Sequence, residues 1–147
     1  LFINEVIYKS VKEQESNQEL FAFLYNTVLQ LDQAGVFCAH FHLAFMTNLA
    51  AYLGFAPRRN YRQGYWFNLR EGIFEEEKPL HSFYIEPEHA AVFNQLLQSP
   101  GNAEPTLHIP SAARKVLLDR LIIFYELHLP SFGKLNSPEV LHEVLKE

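Results

Sequence analysis

The sequence predicts a mainly α fold, a helical bundle with a small β-hairpin-like insertion at about residues 65–85. Three observations carry this. Apolar residues recur at helical spacing along most of the chain. Between Tyr65 and Ile85 that period is lost, and aromatic residues alternate with polar ones around Gly72. A chain of 147 residues, 48% hydrophobic and 20% charged, has the size and balance of one domain with its own core.

The elements follow in order. Glu5, Val6, Tyr8, Lys9 and Ser10 read as a short first helix that ends before the polar stretch 13–17. Asn17 can cap a second helix, with Glu15 and Glu19 suited to its positive end. Leu20, Phe21, Phe23, Leu24, Val28 and Leu31 form its apolar stripe, and Ala34-Gly35 stops it. A third helix over about 36–53 carries Phe37, Phe41, Phe45, Leu49 and Tyr52 on one face, with Leu43, Ala44 and Ala50 widening it. So much apolar perimeter predicts a central helix, which Gly54-Phe55-Ala56-Pro57 ends.

Residues 58–64 are polar, basic and loop-like, and 65–69, 72–74 and 81–85 read as extended. Arg70-Glu71-Gly72 can turn the chain. Pro87 fits the first turn of a helix to Leu97, because its missing N–H costs nothing there. A loop follows over 99–110. Ser111 reads as the cap of a long helix to about Leu129, with Val116, Leu117, Leu121, Phe124, Tyr125 and His128 as its stripe. Ser137-Pro138-Glu139 opens a final helix carrying Val140, Leu141, Val144 and Leu145.

Composition narrows the chemistry. The single cysteine, Cys38, excludes an intrachain disulfide and any multi-cysteine zinc site. Net charge is −5, so nucleic-acid contact would need a local patch. No apolar run reaches membrane-spanning length. Met46 is the only methionine and Leu1 the first residue, so the expectation is a piece of a longer protein.

No catalytic constellation emerges. His40 and His42 are two apart, and on a helix they point about 200° apart, so they cannot share one ion. His81 and His89 could meet only as a two-ligand site. Cys38 has apolar neighbours, the setting of an inert thiol. Glu75, Glu76 and Glu77 read as a solvated run. The unusual composition is Arg58, Arg59, Tyr61, Arg62, Tyr65, Trp66, Phe67 and Arg70. Guanidinium groups interleaved with rings can hold a single strand, grip an acidic peptide, or simply pack a hairpin. Arg114, Lys115 and Arg120 form a second basic cluster on the long helix. The candidate nucleic-acid or acidic-peptide contacts are therefore Arg58, Arg59, Arg62, Trp66, Arg114, Lys115 and Arg120, with no catalytic and no metal residues.

Residues 41–57 (FHLAFMTNLAAYLGFAP) and 117–130 (LLDRLIIFYELHLP), followed by FGKLNSPEVL at 132–141, resemble the C-terminal region of the bacterial recombination mediator RecO. In that family a helix ends in a Leu-Gly-Phe/Tyr-x-Pro-like turn. A long closing helix, a loop and a final helix follow. Residues 20–31 fit the helix that precedes this core, so the likeness covers nearly the whole chain.

The resemblance implies a non-catalytic, cytoplasmic bacterial DNA repair protein whose OB-fold domain lies on the N-terminal side of this helical domain. It implies strand annealing, and RecA loading with RecR on single-stranded DNA coated by single-stranded DNA-binding protein. RecR and the acidic, apolar-tipped tail of that coating protein are the implied partners. Single-stranded DNA would be met mainly through the OB-fold domain, and no membrane is involved. Many members also carry four zinc-binding cysteines in this insertion. Here residues 65–82 hold none, so no structural zinc and no other cofactor is expected. Trp66, Phe67, Leu69, Ile73, Phe74, Phe83 and Tyr84 are expected to replace it as a small apolar core. Two other classes stay open from the residues alone: an unrelated helical interaction domain, and a small metal-dependent hydrolase using His40, His81 or His89.

Overall fold

A computed structural model describes residues 2–11, 18–33, 41–98, 108–129 and 132. They form five helices and one sheet: α1 (Phe2–Val11), α2 (Gln18–Gln33), α3 (Phe41–Leu53), β1 (Trp66–Asn68), β2 (Ile73–Glu75), β3 (Tyr84–Ile85), α4 (Pro87–Gln98) and α5 (Ser111–His128). The mainly α reading with a small β insertion holds. Cys38, His40, the predicted start of the third helix and the predicted final helix lie outside the described residues.

α3 is the axis of the bundle. Phe41 through Thr47, Leu49 and Ala50 are all buried, because α2, α4 and α5 each pack against it. Its end is a Schellman turn: Phe55 N–H reaches Ala50 C=O at 3.0 Å and Gly54 N–H reaches Ala51 C=O at 3.3 Å. Gly54 takes φ +94°, which favours glycine there. The turn throws Phe55 against α5, where its ring meets Phe124, Tyr125 and His128 at 5.5, 5.0 and 5.7 Å.

On α2 the buried positions are Leu20, Leu24 and Thr27, while Phe21 and Val28 are exposed. The predicted stripe was too wide: steps of four and three residues hold one face, and Phe21 and Val28 lie off it. Phe23 stacks on Phe45 and on Tyr52 of α3. On α5 the same narrowing leaves Val116 exposed while Leu117, Leu121, Phe124 and Tyr125 are buried. Ser111 is the first helical residue rather than the cap. Pro110 holds the cap position, with no side-chain hydrogen bond to the turn.

The sheet is antiparallel in the order β2-β1-β3. Its inner face, Phe67, Phe74 and Ile85, is buried, and its outer face carries Trp66, Asn68, Ile73, Glu75 and Tyr84. Phe67 meets Phe74, Phe93 of α4 and Phe124 of α5 at 4.8, 4.9 and 5.8 Å. Each fully buried ring contributes about 1.5–3 kcal/mol, which such short strands need, since a lone hairpin is marginal in water.

Polar groups finish the insertion. Asn68 Oδ1 accepts the N–H groups of Arg70 and Glu71, and Gly72 closes the turn at φ +72°. β3 is shorter than the sequence suggested. Leu69 N–H still donates to Phe83 C=O, but Phe83 N–H goes to His81 Nδ1, and Leu69 C=O takes His128 Nε2 at 2.7 Å. The ladder therefore stops at Tyr84.

Candidate nucleic-acid and peptide interface

The basic loop is built on the sheet. Arg58 N–H donates to Gly72 C=O at 2.8 Å, and Tyr65 N–H to Arg62 C=O at 3.0 Å, which fixes both ends of the stretch. Asn60 bridges it to β2: its Nδ2 donates to Phe74 C=O and its Oδ1 accepts Phe74 N–H, at 2.9 and 3.0 Å. Arg58, Arg59 and Arg62 stand exposed from this framework. Trp66 is half-buried, edge-on to Tyr84 at 5.1 Å, and Lys78 Nζ lies 5.9 and 5.5 Å from the two ring centres. That geometry is a cation–π cluster.

The cluster on α5 divides. Arg114 is buried at 7% exposure, and its Nη1 donates to Ile109 C=O at 2.7 Å, so it secures the entry to the helix. Lys115 is exposed, and Arg120 is half-exposed. Residues 115, 116, 119 and 120 share one helical face. Arg120 holds its neighbour Asp119 through Nε at 3.1 Å and Nη2 at 2.6 Å.

These two cations border a groove of about 570 Å³ between α5 and the β3–α4 corner. Its walls are Ser82, Tyr84, Ile85 and Glu86 on one side, Lys115, Val116, Asp119 and Arg120 on the other, with His89 between. Tyr84 thus belongs both to the groove and to the Trp66–Lys78 cluster. A second groove, about 870 Å³, is walled by Glu75, Glu76 and Glu77 with Asn60, Arg70 and His81 among others, and is acidic. Arg58, Arg59 and Arg62 line neither groove, so the structure does not bring the two predicted basic clusters into one site.

Sequence reading missed Tyr84, Val116 and His89 as groove walls and Lys78 as the ring partner. The sequence puts Tyr84 and Val116 in apolar cores, yet each shows a surface. The signal was period: both fall off the buried stripe of their element. Among the described residues the histidines do not gather. His81 and His89 line different grooves, and His89 sits 3.4 Å from Glu88. His42 is buried, and burial lowers its pKa to about 4. Among the described residues no group of three or more His, Cys, Asp or Glu side chains could hold a metal. Residues 65–82 of the insertion contain no cysteine, and Asn68, Phe67 and Phe74 make hydrogen bonds and ring contacts there. No described helix is long and apolar enough to cross a membrane.

Comparison with known proteins identifies relatives along nearly the whole chain. The family described as "Recombination protein O C terminal" matches residues 1–138. The chain is 36% identical to the DNA repair protein RecO of Bacteroides fragilis over 149 residues, covering 98% of the chain and 60% of that relative. It is 33% identical to the DNA repair protein RecO of Phocaeicola vulgatus, with the same coverages. With the DNA repair protein RecO of Flavobacterium psychrophilum it shares 34%, covering 98% of the chain and 59% of the relative. No solved structure matches. The chain spans about 60% of the length of these relatives. The family match over residues 1–138 and these relatives place the chain in the RecO family of DNA repair and recombination proteins.

Proposed function

We propose that this chain is a non-catalytic adaptor domain of a recombination mediator. In this reading it works with RecR on single-stranded DNA coated by single-stranded DNA-binding protein, and promotes strand annealing and RecA loading. The groove between β3 and α5 receives the acidic, apolar-tipped tail of the coating protein. The observation that carries the reading is the pairing of Lys115 and Arg120 with the apolar surfaces of Val116 and Tyr84 in one groove. Carboxylates meet the cations while an apolar end meets the floor. DNA contact by this domain falls to Arg58, Arg59 and Arg62, with the Trp66–Tyr84 pair as a stacking surface. The main contact with single strands belongs to an OB-fold domain of the full-length protein.

The test is a titration of the chain with labelled tail peptide and with single-stranded oligonucleotide, each at two salt concentrations. Reversing both Lys115→Glu and Arg120→Glu is expected to weaken the peptide at least about tenfold and leave the oligonucleotide unchanged. Reversing Arg58, Arg59 and Arg62 is expected to do the opposite and to flatten the salt dependence. Binding of the peptide undiminished by the α5 reversals would remove the groove from the proposal.

A further inference from the structure

Resting on that reading of the groove, we infer that its occupant binds as an extended strand. It runs parallel to β3 and adds a fourth strand to the sheet. β3 is an outer strand, so one side of its backbone faces β1 and the other faces the groove. The register Phe67↔Ile85, with Leu69 N–H on Phe83 C=O at 3.0 Å, turns the peptide groups of Ile85 toward β1. Those of Tyr84 and the N–H of Glu86 face the opposite way.

The groups on that free side are not equivalent. Tyr84 N–H is turned back onto Ser82 C=O at 3.2 Å. Tyr84 C=O and Glu86 N–H take no hydrogen bond among the described residues. Those two groups flank Ile85. In a parallel pair, one residue of the incoming strand donates its N–H to the carbonyl before its opposite number and accepts the N–H after it. One residue opposite Ile85 would satisfy both. An antiparallel strand would need the Tyr84 N–H, which is already used.

The far wall selects the side chains. Arg120 spends two of its five N–H donors on Asp119, leaving three, and Lys115 is exposed with no ion pair among the described residues. Glu86 and Asp119 also line the groove, and they repel an unbroken acidic run. Side chains of an added strand alternate between faces. The fitting occupant is therefore a short peptide in which acidic residues alternate with apolar ones.

The experiment uses labelled peptides of about eight residues with alternating acidic and apolar side chains, each N-methylated at one position. Binding is measured to the whole chain, and hydrogen exchange is followed at Glu86. Methylation at one position is expected to weaken binding at least about fivefold, while its two neighbours tolerate it. The Glu86 amide is expected to exchange more slowly in the complex. Affinities within about twofold across the whole methylation series, with Glu86 unprotected, overturn the strand mode. If Lys115→Glu and Arg120→Glu still abolish that binding, the groove reading survives the loss. If the unmethylated peptide does not bind at all, the strand mode falls, while the groove reading is decided by the tail-peptide titration.

Discussion

The phenol of Tyr125, on α5, donates a 2.7 Å hydrogen bond to the carbonyl of Met46, on α3. Both residues are fully buried, and burial pushes the phenol pKa well above its usual value, so it remains a donor. The bond ties α5 to α3 through buried residues of the core. Tyr125→Phe removes it without opening a large cavity. The expected cost is about 1 kcal/mol, seen as a fall of about 2–4 °C in the unfolding midpoint by calorimetry.

Asn60 performs the same office for the sheet. Its amide makes both hydrogen bonds of a missing strand residue with Phe74, on the outer side of β2. Asn60→Ala leaves the Phe74 N–H and C=O, in a part-buried site, without that partner. A loss of about 2 kcal/mol is expected in urea unfolding, with Asn60→Asp recovering less than half because it supplies only the acceptor. Hydrogen exchange at Phe74 reports the same change locally.

Stability should fall in mild acid because of His42. Its folded pKa is lowered to about 4, against about 6.5 in an unfolded chain. Between those values the unfolded chain binds a proton that the folded chain refuses. The contribution is complete above about pH 6.5 and is lost as pH falls toward 4, amounting to about 3 kcal/mol. Urea titrations at about pH 7.5 and about pH 4.5 should show this drop, and His42→Gln should remove most of it while other groups still titrate.

Metal removal should change nothing. With no cysteine in the insertion, excess chelator is expected to leave the unfolding midpoint within about 1 °C. A fall of several degrees, reversed by added zinc, would contradict the reading of the sheet as held by rings and amides.

The sequence made the helices legible because their punctuation is local. Gly54 ending α3 and Pro87 opening α4 each act through their own backbone chemistry. The central position of α3 was legible too, since only a helix covered on several sides can be apolar nearly all round. What stayed hidden depends on distant partners. Nothing local says that Phe23 stacks on Tyr52. Nothing local says that Arg114 turns inward to Ile109, or that His128 takes the Leu69 carbonyl and cuts β3 short. The candidate groove was half visible: Lys115 and Arg120 stood out as charges, but Tyr84, Ile85 and Val116 join them only when β3 is laid against α5.

Asn60, Asn68 and the interlocked rings of Phe67, Phe74 and Phe93 hold the insertion using only carbon, nitrogen and oxygen. Such a clasp offers peroxide no sulfur to oxidise. Rings and amides take no part in thiol chemistry, so thiol oxidants and reductants alike should leave the fold of the insertion unchanged.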